Sequence, residues 1–308
     1  MEKKNSTIRT LFMGSPAYAS TILHALHQAK LNVVGVVTQP DKPVGRGRKL
    51  QSPPVKIIAE DLGITCLQPA ELRTQEFRLF LSDLAPEIII VAAYGKILRN
   101  DVLDLPKFGC VNVHASLLPR WRGASPVHAA ILHGDPKTGV TIMKMDTGID
   151  TGAIISQKSL ELADNETTGT LTDRLADLGA ALLVETLPQY LDGSISPRPQ
   201  NDENATYAGL IKKSDGLIDF QKSAAEIERR VRAMHPWPNA YFEWNGKTVK
   251  LFSIKILDSN TLSPAKRGKS QKYPIVGTGT NDIMLLELQM PGKKRFNGKV
   301  FLNGARDW

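Results

Sequence analysis

The segment Asn112-Val-His114-Ala-Ser116 combines side chains that suit chemistry at a carbonyl carbon. Residues two apart on a strand share a face, so Asn112 and His114 would project together. An asparagine amide donates hydrogen bonds, and a histidine near neutral pH can donate or accept one. The pair suits an acyl-type transfer, whose tetrahedral intermediate carries negative charge on oxygen. Spacing alone favours a plainer interpretation, with one structural residue and one core histidine whose hydrogen bonds are satisfied.

A second candidate group lies in residues 145–152, which contain two Asp-Thr-Gly triplets, starting at Asp146 and Asp150. The triplets are too close together to form the two halves of an aspartic protease dyad. One carboxylate could accept a proton or orient His114. The alternative is a glycine-rich turn capped by its own aspartates. From the residues alone, both aspartates remain open candidates.

A third candidate is the basic segment, residues 38–52, which is rich in Pro, Gly, Lys and Arg. It follows a predicted strand, and loops after parallel strands line the ligand crevice of such sheets. The segment could therefore clamp a phosphate backbone. It lacks the Gly-Lys-Ser/Thr of a nucleotide P-loop, which argues against that site. The alternative is a flexible, solvated loop.

Strand and helix patterns alternate over the first 190 or so residues, which places these groups in an α/β fold. Short apolar runs predict strands at 10–13, 33–38, 87–93 and 110–114. Ser15 is the predicted N-cap of the first helix, and Ser52 and Ser125 precede two further predicted helices. Leucines on one side predict a long helix over 168–191. We expect a Rossmann-like, open, mostly parallel sheet. His114 would then lie at the carboxyl end of its strand, where such sheets place ligands.

The pattern changes after residue 192. Residues 193–208 are polar and contain prolines, which indicates a linker. Ser223 and Glu226 then form a capping box, and Asn245-Gly246 predicts a hairpin. Further strands are predicted at 254–257, 275–277 and 283–288, which together indicate a small OB-like β-barrel. The expected domains are 1–192, the linker 193–208, and 209–308.

The positive charge is concentrated in the last third of the chain. The net charge is +8, and residues 209–308 carry 18 Lys and Arg against 9 Asp and Glu. Basic surfaces attract polyanions, most often nucleic acid, although a solvated surface without a partner is equally allowed.

Two isolated cysteines predict neither disulfides nor a metal site. Without a signal peptide or an apolar run long enough to span a bilayer, we expect a soluble cytoplasmic protein with no membrane contact.

Taken together, these residues resemble the folate-dependent formyltransferases. The resemblance rests on Asn112-Val-His114, Ser116-Leu-Leu-Pro119, Val91-Ala-Ala-Tyr-Gly95 and residues 145–152. Within that family the chain is most similar to the members that act on methionyl-tRNA. The motifs behind this narrower match are Gln39-Pro-Asp-Lys-Pro-Val-Gly-Arg-Gly-Arg48, Leu118-Pro-Arg-Trp-Arg-Gly-Ala-Ser-Pro126 and Pro236-Trp-Pro238, with the basic C-terminal region. The match covers nearly the whole chain and makes the catalytic interpretation of Asn112 and His114 the favoured one.

The resemblance implies a role for each matching residue. Asn112, His114 and Asp150 would be catalytic, which selects Asp150 over Asp146. The contacts to the folate carrier would come from Ser116, Leu117, Leu118, Pro119, Tyr94 and Gly95, the last two near the pterin. Arg46 and Arg48 would engage the acceptor end of tRNA. Ala115 departs from the family pattern, because glycine is frequent at that position, but the change is from one small residue to another.

The implied reaction transfers the formyl group of 10-formyltetrahydrofolate, a co-substrate, to the amino group of methionyl-initiator tRNA for translation initiation. No metal would take part, and nothing demands more than a monomer. One rival is the same chemistry on a small amine, such as glycinamide ribonucleotide or an amino sugar. A second rival is a 10-formyltetrahydrofolate hydrolase. A third is an RNA-binding protein on an inactive α/β scaffold.

Overall fold

The computed structural model describes residues 7–44, 47–305 and 307–308, and the chain divides into two compact units. The first unit comprises Met1–Gly123, Thr138–Leu160 and Thr172–Tyr207. The second comprises Ala124–Lys137, Glu161–Leu171 and Ala208–Trp308. The domain boundaries expected at residues 192 and 208 stay a prediction.

The strands of the described residues are, in chain order, β1 (Thr10–Gly14), β2 (Val33–Val37), β3 (Lys42–Val44), β4 (Lys49–Gln51), β5 (Cys66–Leu67), β6 (Ile88–Ala92), β7 (Cys110–His114), β8 (Arg122–Gly123), β9 (Lys137–Lys144), β10 (Ile154–Glu161), β11 (Tyr207–Ala208), β12 (Ala240–Trp244), β13 (Lys247–Ile256), β14 (Arg267–Ser270), β15 (Tyr273–Gly277), β16 (Asp282–Gln289) and β17 (Phe296–Asn297). The helices are α1 (Ala17–Gln28), α2 (Pro54–Asp61), α3 (Gln75–Leu84), α4 (Asn100–Leu103), α5 (Pro126–His133), α6 (Thr168–Leu191), α7 (Ala224–Ala233) and α8 (Gly298–Gly304).

A sheet with the strand order β10-β9-β7-β6-β1-β2-β5 forms the centre of the first unit. In this order, each strand from β7 to β5 is parallel to its neighbour, whereas β9 is antiparallel to β7. The central strands β1, β6 and β7 are buried along their whole length, which explains their near-continuous apolar sequences. The expected mostly parallel, Rossmann-like sheet is confirmed.

The start of α1 differs from the expectation that Ser15 caps it. The position before the helix is Pro16, and no side chain caps the helix. The Ser15 hydroxyl instead accepts hydrogen bonds from the Gln39 backbone N–H at 3.1 Å and from the Thr38 hydroxyl at 3.2 Å. Ser15 therefore joins the end of β1 to the loop after β2, a tertiary contact that the local sequence does not reveal.

The second unit contains an antiparallel sheet with the order β12-β13-β16-β15-β14, and β17 pairs with β16. The predicted hairpin is confirmed: Trp244 pairs with Lys247 around Asn245 and Gly246, whose φ angles are 49° and 69°. The separate strand expected at 254–257 was wrong. Residues 254–256 continue β13, whose register shifts near Ser253 interrupt the apolar alternation. The C-terminal antiparallel sheet is confirmed, and its closure into a barrel stays a prediction.

Helix α7 begins with the predicted capping box: Ser223 Oγ accepts from the Glu226 N–H, and the Glu226 carboxylate accepts from the Ser223 N–H at 3.0 Å. The helix packs on α5, where Arg229 Nε donates to the Leu132 carbonyl at 3.1 Å. Gly134, with a φ of 67°, ends α5 in the left-handed conformation that glycine adopts without strain. Across the described ranges, no helix combines the length and apolar character needed to cross a bilayer.

Candidate active site

Strand β7 carries Asn112 and His114 at its carboxyl end. The alternation of side chains along the strand places both on one face. Asn112 is 9% exposed and His114 is 6% exposed, so both are buried apart from a small open fraction. The neighbouring strand β9 holds β7 in register, with Asn112 opposite Met143 and His114 opposite Thr141. The pair is therefore fixed by the sheet rather than by a loop.

The Asp150 carboxylate meets both side chains. Its Oδ1 accepts a hydrogen bond from Asn112 Nδ2 at 3.4 Å and lies 3.7 Å from His114 Nδ1. Its Oδ2 accepts from the Gly123 N–H at 2.8 Å. Asp146, by contrast, is exposed and accepts from the Gly148 N–H and the Thr151 hydroxyl within its own turn. The structure brings Asp150, and not Asp146, to the Asn112–His114 pair.

The hydrogen bond of the His114 ring on its far side defines the protonated nitrogen. His114 Nε2 lies 3.0 Å from the carbonyl oxygen of Trp121. A carbonyl can only accept, so Nε2 carries a hydrogen in this arrangement. Nδ1, which faces Asp150, is then the nitrogen that can gain or lose a proton. Trp121 O thus orients the ring in the way that carbonyl partners commonly fix a histidine tautomer.

Gln200 holds the Asp150 backbone, and Arg122 holds Gln200; no pattern in the sequence predicts a role for either residue. Gln200 Nε2 donates to the carbonyls of Asp150 and Gly152, both at 2.8 Å. Gln200 Oε1 accepts from Arg122 Nε at 3.1 Å and from Nη2 at 2.9 Å. Asp150 has a φ of 53°, in the left-handed region that non-glycine residues seldom occupy. The Gln200 amide therefore holds a backbone conformation on which the direction of the Asp150 side chain depends.

Arg122 is buried at 2% exposure and is itself tied down. Its Nη2 donates to Asp202 Oδ1 at 2.6 Å, and its Nη1 donates to Tyr207 Oη at 3.4 Å. Burial alone would lower the pKa of the guanidinium, but its hydrogen bonds to Asp202 and Tyr207 raise the pKa above its ordinary value. Arg122 lies inside a motif that was recognised in the sequence, whereas Gln200 lies in the polar stretch that we expected to be a linker.

Residues 116–119 follow β7 and are held by Thr141 and Gln157. The Thr141 hydroxyl donates to the Ser116 carbonyl at 2.6 Å and accepts from the Leu118 N–H at 3.0 Å. Gln157 Nε2 donates to the Leu118 carbonyl at 2.8 Å. The Ser116 hydroxyl is fully buried and donates to the Arg120 carbonyl, while Leu117 and Pro119 are only half-buried. Of these four candidate folate contacts, Leu117 and Pro119 have the most accessible side chains.

The other candidate folate contacts, Tyr94 and Gly95, follow β6. Tyr94 is 2% exposed, and burial raises its pKa to about 12. Within the described part of the chain, its hydroxyl has no hydrogen-bond partner. Gln39 Nε2 donates to the Tyr94 carbonyl at 3.0 Å, and Lys96 Nζ donates to the carbonyls of Pro69 and Ala70. These bonds anchor the loop on both sides of Gly95, which is exposed.

The basic segment forms a short ribbon rather than the loop that we expected. Strands β3 and β4 pair in the antiparallel sense, with Lys42 opposite Gln51 and Val44 opposite Lys49. Arg48 is exposed, with a φ of 47°. Arg46 lies outside the described residues. Asp41 anchors the start of the ribbon, because Lys56 Nζ donates to its Oδ2 at 3.1 Å and Gln68 donates to its Oδ1 at 2.7 Å. Among residues 7–44, 47–305 and 307–308, no group of three or more His, Cys, Asp and Glu side chains could hold a metal ion.

Sequence comparison identifies the family. The sequence model described as "Formyl transferase" matches residues 8–187, and the one described as "Formyl transferase, C-terminal domain" matches residues 210–306. This chain belongs to the formyl transferase family. It is 44% identical over 310 aligned residues to a curated methionyl-tRNA formyltransferase of Desulfotalea psychrophila, covering 99% of this chain and 95% of that relative.

Solved structures show the same fold at low identity. An N-formyltransferase from Helicobacter canadensis, in complex with folinic acid and dTDP-3-aminofucose, superposes with a TM-score of 0.68 at 20% identity, covering 92% of this chain and all of that one. HypX from Aquifex aeolicus, in complex with tetrahydrofolic acid, gives a TM-score of 0.66 at 15% identity. The match covers 97% of this formyl transferase and 48% of HypX, so the chain spans about half the length of that protein.

Proposed function

We propose that this formyl transferase transfers the formyl group of 10-formyltetrahydrofolate to the α-amino group of methionyl-initiator tRNA, for translation initiation. The observation that carries the proposal is the Asp150 carboxylate, which reaches both Asn112 and His114. The choice of acceptor is supported by the 44% identity to a methionyl-tRNA formyltransferase over nearly the full length of both chains.

In the proposed reaction, Asn112 donates a hydrogen bond to the formyl oxygen as negative charge develops there, and His114 adds positive charge nearby once it has taken up a proton. The neutral amine of the methionyl group attacks the formyl carbon, and a new N–C bond forms. One Asn112 amide hydrogen points to Asp150, which leaves the second hydrogen for the oxyanion. Removing a single preorganised donor of this kind typically costs about 10²–10³ in rate.

The His114–Asp150 pair moves the proton that must leave the amine. Because His114 Nε2 donates to Trp121 O, Nδ1 is the nitrogen available for this work. A proton taken up at Nδ1 would be paired with the Asp150 carboxylate 3.7 Å away. As the bond between the formyl carbon and N10 breaks, the same proton can be returned to N10. General acid–base help of this type contributes about 10²–10⁴ in rate.

Six residues are proposed to hold the formyl donor, which supplies the one-carbon unit. The half-buried Leu117 and Pro119 would contact its flat ring system, with Ser116 and Leu118 shaping the turn between them. Tyr94 has a buried hydroxyl without a partner among the described residues, as expected beside a polar heterocycle that completes its hydrogen bonding. Gly95 has no side chain, so the donor could approach its backbone closely.

The acceptor is proposed to bind through positive charge. Arg46 and Arg48 would engage its acceptor end, and the basic residues of the region 209–308 would contact phosphates. Residues 1–192 would then carry the chemistry. We expect a monomer that works in the cytoplasm, where charged tRNA enters translation.

The decisive experiment offers purified enzyme and 10-formyltetrahydrofolate three acceptors: methionyl-initiator tRNA, free methionine and glycinamide ribonucleotide. Formylation of the charged tRNA alone is the expected result. Formylation of a small amine would keep the Asn112–His114–Asp150 site and reassign the acceptor. Release of formate without any acceptor would indicate a hydrolase. No turnover of the folate would leave an RNA-binding protein on an inactive scaffold.

A further inference from the structure

The second unit contains a cavity of about 580 Å³ beside strand β17 and helix α8. This volume lies within the range of small-molecule sites. Its lining includes the aromatic side chains of Trp244, Phe296 and Phe301, the side chain of Val300, and several exposed cations. None of these residues belongs to the catalytic constellation, which lies in the first unit.

Aromatic rings form the walls of the cavity. The Trp244 and Phe301 rings meet edge to face, with centroids 5.0 Å apart, and the Phe296 ring lies parallel to Phe301 within 8°. The Trp308 ring also packs against this cluster, with its centroid 5.1 Å from that of Phe301. Phe296 is only half-buried, and Val300 is 56% exposed at the rim. Trp244 and Phe301 are themselves buried, at 8% and 5% exposure, so the apolar surface that a flat partner can reach comes mainly from Phe296 and Val300, with the other rings packed against them.

The rim carries a single sign of charge. Lys247, Lys293, Lys294 and Arg295 are all exposed, and no Asp or Glu lines the cavity among the described residues. The Arg295 guanidinium lies over the Phe252 ring, with its Cζ 3.7 Å from the ring centroid. Apolar aromatic walls inside a positive rim match a flat, uncharged ring attached to an anionic backbone.

From this pairing we propose that the cavity receives one unstacked nucleobase of the bound tRNA while Lys293 and Lys294 contact the flanking phosphates. The proposal rests on the proposed action on tRNA and adds a base-binding subsite to it. Contacts to phosphate alone would need the lysines but not the apolar walls. An apolar protein segment would need the walls but not four positive charges.

The test measures fluorescence anisotropy of the full chain with two labelled probes: a short single-stranded oligoribonucleotide and the same strand with abasic sites. Stacking of one base on aromatic side chains predicts binding of the intact strand about tenfold tighter than the abasic strand. Val300→Trp should fill the cavity and abolish that preference. The matched control is Ile256→Trp, which adds the same side chain at a position on β13 that is 38% exposed and outside the cavity lining, and it should keep the preference.

Two further variants keep the proposal falsifiable if Val300→Trp fails to fold. Phe296→Leu should reduce the preference for the intact strand, and Lys294→Ala should weaken binding of both strands equally. Equal binding of the two strands by the wild type would overturn the proposal, as would an unchanged preference in Phe296→Leu. A wild-type dimer that Val300→Trp converts to a monomer would assign the cavity to a second copy of the chain and also overturn it.

The outcome separates this proposal from the proposed function. A chain that formylates methionyl-tRNA but shows no preference for the intact strand would contradict the subsite alone. A chain that prefers the intact strand but does not formylate the charged tRNA would contradict the proposed function and leave the base-binding cavity in place.

Discussion

The two units use polar side chains in opposite ways. In the first unit, the sheet holds the buried Asn112 and His114. The partly buried Asp150 is held by the Gly123 N–H, and its backbone is held by Gln200. In the second unit, the cations at the cavity rim are exposed. Fixed, desolvated groups suit a transition state, whereas exposed charges suit a large polyanion whose affinity comes from many weak contacts. Substitutions of the catalytic groups in the first unit should therefore change kcat, and substitutions of the exposed cations in the second unit should change the KM for tRNA.

The largest expected effect is that of Asp150→Asn. The amide keeps the shape of the side chain but cannot pair with a proton on His114 Nδ1, so kcat should fall by about 10²–10⁴. The measurement is formylation at saturating concentrations of both substrates. Asp146→Asn is the matched control in the same segment, and it should retain kcat because Asp146 only caps its own exposed turn. Equal losses in the two variants would contradict the assignment.

The next largest effect is that of salt, which should change the KM for tRNA much more than it changes kcat. If roughly four phosphates are contacted, raising the salt concentration from 50 to 200 mM should increase the KM for tRNA by about 10²-fold. The kcat at saturating tRNA should barely change, because Asn112 and His114 are buried and Asp150 is mostly so. Initial rates over a series of tRNA and salt concentrations give both parameters. A KM that stays constant with salt would remove the polyanion role of the basic region.

Gln200→Ala tests whether the Asp150 backbone needs its anchor. Loss of the two hydrogen bonds to the carbonyls of Asp150 and Gly152 should lower kcat by about tenfold, since small misplacements of a catalytic group are costly. Gln200→Glu would keep the acceptor for Arg122 but lose both donors, so it should resemble the alanine variant. The pH profile of kcat should also change, whereas a merely structural role would alter only stability. Full activity in Gln200→Glu would contradict a positioning role for Gln200.

The smallest expected effect is a loss of stability at low pH, caused by Asp282 in the second unit. Burial would raise the pKa of this carboxyl, but hydrogen bonds from Thr261, Ser259 and Leu262 outweigh burial and hold the pKa below its ordinary value. A lowered folded-state pKa gives stability that is present above the ordinary pKa and is lost as the pH falls through the lower value. We expect thermal unfolding curves to show this loss below about pH 4.

The matched variant is Asp282→Asn, which should lower the melting temperature at pH 7 by about 5 °C. It should also lack this part of the acid dependence, because the amide does not titrate. An acid dependence identical to that of the wild type would show that other carboxylates are responsible.

The sequence predicts those elements that depend only on residues close together in the chain. The apolar runs of β1, β2, β6 and β7, the capping box of α7 and the Asn245-Gly246 hairpin all needed only neighbouring residues. Ser15 was assigned wrongly because its partner, the Gln39 N–H, lies 24 residues away. The continuation of β13 through residues 254–256 was missed because a register shift interrupts its alternation.

The candidate site shows the same limit. The spacing of Asn112 and His114 placed them on one strand face, but the choice between Asp146 and Asp150 came from the family resemblance and not from the residues. The direction of Asp150 depends on Gly123 and on Gln200, which lies 50 residues away in sequence. No local pattern distinguishes Gln200 from the polar residues around it, so its role becomes visible only from the folded chain.

The most direct test of the central claim is single-turnover formylation by Asn112→Ala, with the dissociation constants of tRNA and of 10-formyltetrahydrofolate measured on the same preparation. The proposed role of Asn112 predicts a rate lower by about 10²–10³ with both dissociation constants nearly unchanged. A normal rate, or a rate loss explained entirely by weaker folate binding, would remove Asn112 from the mechanism.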